Sequence, residues 1–122
     1  MKYIVDKYYN GYEGEPEIQI IRRNYQEEVL VLKIWTGFFD NIMNAIEPEE
    51  TGWTSLAYYY NLHIGWYEES PWKLEDIRTA INQLKSIENN KLSGQDKEVL
   101  NDIIKIFQDA LMLGDDILIC YE

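Results

Sequence analysis

The sequence predicts an α+β fold in which a small antiparallel sheet packs against a C-terminal antiparallel helix pair. Two observations predict it: β-branched, apolar runs fill the first third of the chain, and two segments with helical periodicity fill the last. At 122 residues with 46% hydrophobic side chains, the chain has material for one core and no room for a second, so residues 1–122 are expected to form a single domain.

Glu17-Ile18-Gln19-Ile20-Ile21 and the run from Glu28 to Ile34 can pair as two strands. Leu30, Ile34, Phe38, Ile42 and Ile46 also keep an i, i+4 spacing, and a single long helix through them is the alternative, which would make the fold mostly α. The Val and Ile content favours strand, with Thr36-Gly37 as the junction to a helix ending near Pro48. Gly52 to Tyr58 has the character of one or two helical turns, and Leu62 to Glu68 that of an extended connection.

A helix is predicted from about Trp72 to Glu88. Ser70 can cap it, Pro71 suits its first position, Glu75 and Asp76 complement the positive end, and Leu74, Ile77, Ile81 and Leu84 recur at helical spacing. Asn89-Asn90-Lys91 breaks it. Ser93-Gly94-Gln95-Asp96 resembles a capping arrangement for a second helix that carries Val99, Leu100, Ile103, Ile104, Phe107, Ala110 and Leu111 and stops near Gly114. The consecutive apolar residues from Asp115-Asp116 to Tyr121 predict a short closing strand, with Cys120 as a buried thiol.

Charge narrows the function. The 22 Asp and Glu against 11 Lys and Arg give a net charge of −11, which opposes binding to nucleic acid or anionic membranes and favours a cationic partner. No run of about 18 apolar residues could span a bilayer, and Asp6 interrupts the N-terminus before a signal region could form, so a cytoplasmic protein is expected. The acids are also unevenly placed. From Ile34 through Trp72 there is no Lys or Arg, while Asp40, Glu47, Glu49, Glu50, Glu68 and Glu69 fall there; after Lys105, Asp109, Asp115, Asp116 and Glu122 again lack basic sequence neighbours. Trp35, Trp53, Trp66 and Trp72 all lie in the first of these segments, with Phe38, Phe39, Tyr58, Tyr59, Tyr60 and Tyr67. At least two of the four tryptophans and about half of the tyrosines are expected in the core; the rest can anchor a partner.

Catalytic chemistry finds little support. His63 and Cys120 are each the sole residue of their type, which is too few for a zinc shell, and an apolar strand raises a thiol pKa rather than activating it. The glycines form no phosphate-cradling pattern. A carboxylate pair such as Glu49 and Glu68 beside an aromatic cleft is the remaining enzymatic idea, and the expectation is no enzyme, no cofactor and no metal.

The segment Gly52-Trp53-Thr54-Ser55-Leu56-Ala57-Tyr58-Tyr59-Tyr60-Asn61-Leu62-His63-Ile64-Gly65-Trp66-Tyr67-Glu68-Glu69-Ser70-Pro71-Trp72 resembles the aromatic centre of small bacterial immunity proteins, particularly those of contact-dependent growth inhibition systems. That resemblance implies a cytosolic inhibitor that binds the toxic C-terminal domain of a cognate effector, often a nuclease; a monomer or a homodimer is expected. The expected contact set is Glu47, Glu49, Glu50, Glu68 and Glu69 for charge, with Trp53, Tyr59 and Trp66 as anchors. A nucleic-acid mimic of phage type and a carboxylate-based hydrolase are the competing functions.

Overall fold

The computed structural model describes residues 3–25, 27–46, 72–74, 76–87 and 91–121, and of Trp72 the backbone alone. In chain order these residues form β1 (Tyr3–Tyr8), β2 (Glu17–Asn24), β3 (Glu27–Trp35), α1 (Thr36–Asn44), β4 (Trp72–Lys73), α2 (Ile77–Lys85), α3 (Gly94–Leu113) and β5 (Asp116–Tyr121). The fold is α+β, as predicted. The strands make one five-stranded sheet in the order β1-β3-β2-β5-β4.

The sheet is mixed rather than wholly antiparallel, because β1 pairs parallel to β3, with Tyr3 beside Leu30 and Val5 beside Leu32. The cause is the connection at residues 9–16. It does not turn β1 back as a hairpin but steps across the end of β3 to deliver β2 on that strand's far side. Two contacts hold the crossing in place: Thr36 N–H donates to the Pro16 carbonyl at 3.3 Å, and the Tyr12 ring stacks on Trp35, the last residue of β3. The composition of 3–8 alone carries no sign of this pairing.

β2 and β3 form the predicted hairpin, which settles the strand-versus-helix alternative. Its turn lacks glycine, and Tyr25 takes up the left-handed backbone there, with φ of 49°. The i, i+4 series from Leu30 to Ile42 has a structural origin: β3 runs directly into α1, and both elements turn these residues into one core. Ile18 and Ile20 from β2, Leu32 and Ile34 from β3, and Ile117 and Ile119 from β5 share the sheet face that meets the helices. Phe38, Phe39, Ile42 and Met43 of α1, Ala80, Ile81 and Leu84 of α2, and Val99, Ile103 and Phe107 of α3 fill the other side. Each large side chain buried in this way contributes about 1.5–3 kcal/mol. On the second face an apolar row crosses the sheet, Ile4 beside Val31, Ile21 and Leu118, in which Val31 and Ile21 are buried outside that core. Cys120 lies on this second face opposite Gln19 and is half-buried, less than expected.

The helix pair forms, with a later start than predicted. Trp72 and Lys73 extend instead as an edge strand on β5, and Leu74 N–H donates to the Ile117 carbonyl at 2.9 Å. The cap of α2 is Asp76, whose carboxylate accepts from Thr79 N–H at 3.0 Å and from the Thr79 hydroxyl at 2.6 Å. Both bonds hold its pKa below the usual carboxylate range, the side-chain bond most. Ser70, Pro71 and Glu75 lie outside the described residues. α3 begins and ends as predicted, Gly114 taking φ of 74° at the left-handed stop. At its start, the Ser93 hydroxyl donates to Asp96 at 3.0 Å rather than capping a backbone N–H.

Candidate functional site

All eight residues singled out as the contact set, Glu47, Glu49, Glu50, Trp53, Tyr59, Trp66, Glu68 and Glu69, lie outside the described residues, as do the resembling segment up to Pro71 and His63. Of the acidic, aromatic segment from Ile34 to Trp72, the described side chains run from Ile34 to Ile46. Phe38 and Phe39 belong to the core, Asp40 is exposed, and Trp35 is half-buried.

Trp35 sits at the centre of an aromatic group. Tyr12 stacks on it with ring centroids 4.3 Å apart and planes 7° from parallel, while Phe38 meets it edge-on at 5.3 Å. The indole also lies against Gly37 so closely that a β-carbon there would be 2.7 Å from its Cε3 and nearer still to Cζ3 and Cη2. The crossing turn brings acids to the same end: Asp6, Glu13 and Glu15 are exposed around it. Its shape is held locally, with Tyr9 O–H donating to the Glu15 carbonyl at 2.6 Å and Gly11 N–H donating to Glu13 at 3.0 Å. Backbone N–H groups, its own first and that of Gly11 second, keep Glu13 below the usual carboxylate range and therefore charged.

Sequence reasoning passed over this turn. The signal was present in Tyr9-Asn10-Gly11-Tyr12-Glu13-Gly14-Glu15-Pro16, where turn-forming residues alternate with acids and tyrosines. Four of the ten tyrosines lie outside the described residues, and of the six described Tyr8 is the one largely buried. Its hydroxyl donates to Asp102 of α3, and Lys7 lies 3.4 Å from the same carboxylate. Burial, then the bond to Asp102, pushes the Tyr8 pKa well above its ordinary value.

The described acids after Lys105, Asp109, Asp115 and Asp116, are not left uncompensated, contrary to the sequence reading, and Glu122 lies outside the described residues. Asp109 pairs with Lys105 one turn earlier at 3.0 Å, Asp115 with Arg22 at 3.5 Å, and Asp116 with Arg23 at 3.2 Å and Lys73 at 3.5 Å. The antiparallel register explains it: β5 lays its first residues beside Arg22 and Arg23 of β2, and β4 brings Lys73 alongside. The Arg23 hydrogen bond chiefly holds Asp116 below the usual carboxylate range.

A shallow recess of about 390 Å³ is lined by Asn41, Asn44, Ala45, Lys91 and Asp96. Asp96 is buried there and accepts from Asn41 at 3.3 Å and from Ser93, so its hydrogen-bonding capacity is used in joining α1 to α3. Among the described residues no group of three or more His, Cys, Asp and Glu is placed to hold a metal, and no helix is long and apolar enough to cross a membrane. Comparison with protein families, curated proteins and solved structures finds no match to this chain.

Proposed function

We propose that the chain is an immunity protein that binds and neutralises a cognate toxin domain, a basic nuclease, through an acidic and aromatic surface. One observation carries the reading. Six bases, Lys7, Arg22, Arg23, Lys33, Lys73 and Lys105, form ion pairs with five acids, Glu17, Asp102, Asp109, Asp115 and Asp116, a group whose net charge is +1. The rest of the chain holds 17 acids and five bases, so the whole negative excess lies outside these pairs.

The exposed Asp6, Glu13 and Glu15 beside Tyr12 and Trp35 add support from the described residues. Acids steer a basic partner, and half-buried rings offer area that desolvates on contact. Glu47, Glu49, Glu50, Glu68 and Glu69, with Trp53, Tyr59 and Trp66, form the contact set of this proposal. A toxin active site that grips phosphate is cationic, which gives such a surface its complement.

The test begins with co-expression alongside the product of the gene directly upstream, asking for a one-to-one complex and restored growth. Association is then timed by stopped flow for the chain carrying Glu49→Lys, Glu50→Lys, Glu68→Lys and Glu69→Lys together. A slowing of roughly tenfold or more, shrinking as salt is added, is expected from lost steering. A rate indifferent to all four reversals and to salt rejects the acidic surface as the contact.

A further inference from the structure

β1 stands at one side of the sheet, and the residues at its start are open in more than one direction. The strand order puts β3 on one flank of β1 and, among the described residues, no strand on the other. Register places Tyr3 and Val5 on the helix-bearing face, beside Leu30 and Leu32, and Ile4 on the second face, beside Val31. Tyr3 is nevertheless 66% exposed and Ile4 54%, so this end of the strand is sheltered on neither face. An edge of this kind offers backbone N–H and C=O groups to any extended chain, and sheets ordinarily blunt it with proline, charge or a bulge. β1 has no proline, its register shift falls after Val5, and its cation Lys7 is held 3.4 Å from Asp102 of α3. Tyr3, Ile4 and Val5 carry none of these guards.

Backbone groups let a strand dock, and side chains select which strand. Around Ile4 the sequence is its own complement: Lys2, Tyr3, Ile4, Val5 and Asp6 run cation, apolar, apolar, apolar, anion. Laid antiparallel on a second copy with Ile4 opposite Ile4, the segment sets Tyr3 opposite Val5 and Lys2 opposite Asp6, each pair occurring twice by symmetry. Opposed residues of an antiparallel pair project from the same face, so apolar meets apolar and cation meets anion side by side. The neighbouring symmetric registers lose this match. Centring on Val5 sets Ile4 against Asp6 and Tyr3 against Lys7, and centring on Tyr3 sets Lys2 against Ile4.

We propose that the open edge of β1 is the interface of a two-fold symmetric homodimer, in which the β1 strands of two copies pair antiparallel about Ile4 and join their sheets into one. The pairing ends where β1 does: the Asp6 carbonyl already accepts from Tyr9 N–H and Asn10 N–H at 2.9 Å, which turns the chain away from the edge. Glu13 and Glu15, on the turn that follows, take no part in it.

Sedimentation velocity across roughly 1–100 μM, the range in which an interface of modest affinity assembles, tests it. The unaltered chain is expected to reach twice its monomer mass. Ile4→Lys sets like charges face to face at the axis and is expected to weaken the dimer roughly tenfold or more, without lowering the melting temperature of the monomer, since Ile4 is exposed. Lys2→Glu and Asp6→Lys, made separately, each turn both ion pairs into like-charge pairs and are expected to weaken the dimer roughly threefold to thirtyfold. The two changes in one chain oppose unlike charges again and are expected to restore the dimer to within about threefold of the parent. A chain that stays monomeric at about 100 μM, or a dimer indifferent to Ile4→Lys, overturns the proposal. A doubly exchanged chain that dimerises no better than either single variant overturns the register and the self-complementarity on which it rests. A monomeric chain whose association with the toxin is abolished by Ile4→Lys overturns the proposal too and assigns the edge to the toxin.

Discussion

Replacing Gly37 with alanine tests the packing that supports the aromatic end. An exchange of glycine for alanine within a helix ordinarily stabilises by up to about 1 kcal/mol. At Gly37 the added methyl would lie 2.7 Å from Trp35 Cε3 and closer to two further ring atoms, so the indole must move. It carries Tyr12 stacked at 4.3 Å and the Phe38 edge at 5.3 Å, and a displacement disturbs both. Overpacking costs about 1–3 kcal/mol and a lost aromatic pair about 0.5–1.5 kcal/mol, against which the helical gain offsets only part. Gly37→Ala is therefore expected to destabilise by about 1–3 kcal/mol, a fall in melting temperature of about 4–10 °C for a chain of this size. Urea unfolding followed by far-ultraviolet circular dichroism measures the first, and the near-ultraviolet signal reports the ring cluster. Trp35→Leu removes the obstructing ring, so the double variant should recover part of the loss, with a coupling of about 1–2 kcal/mol. A Gly37→Ala chain as stable as its parent, with an unchanged near-ultraviolet spectrum, would refute the reasoning.

Arg22→Ala should cost about 3 kcal/mol in urea unfolding, at the lower end for a broken buried pair, because it strands the Asp115 carboxylate at 6% side-chain exposure while Arg22 itself keeps 21%. Asp76→Ala removes the cap of α2 and should cost about 1 kcal/mol by the same measurement. Stability should fall in acid: Asp116 and Asp76 have folded pKa values below their unfolded ones, so their contribution is present above about pH 4 and is lost as pH drops through the folded values. In alkali the sign reverses for Tyr8, whose raised folded pKa leaves its contribution intact up to about pH 10 and removes it above, where the unfolded chain ionises first. Tyr8→Phe should flatten that alkaline loss in melting curves between about pH 9 and about pH 11.

Local chemistry was enough to read several elements from the sequence. β2, β3 and β5 declared themselves through β-branched residues, and α3 through helical spacing closed by Gly114, which takes the left-handed backbone of a helix stop at little cost. The excess of negative charge was equally plain, since charge depends on composition and not on folding.

What depended on meeting partners distant in the chain was not legible. β1 is a strand only because the 9–16 crossing sets it beside β3, and Trp72 and Lys73 gave up a helical start because β5 offered an open edge. The same holds for the surface. Asp115 and Asp116 read as uncompensated until the sheet register placed Arg22, Arg23 and Lys73 next to them, and Tyr12 gave no sign of Trp35, 23 positions away. A sequence states how much charge and aromatic surface a chain possesses; which of it faces outward is decided by pairing between residues far apart, and that pairing exists only in the folded chain.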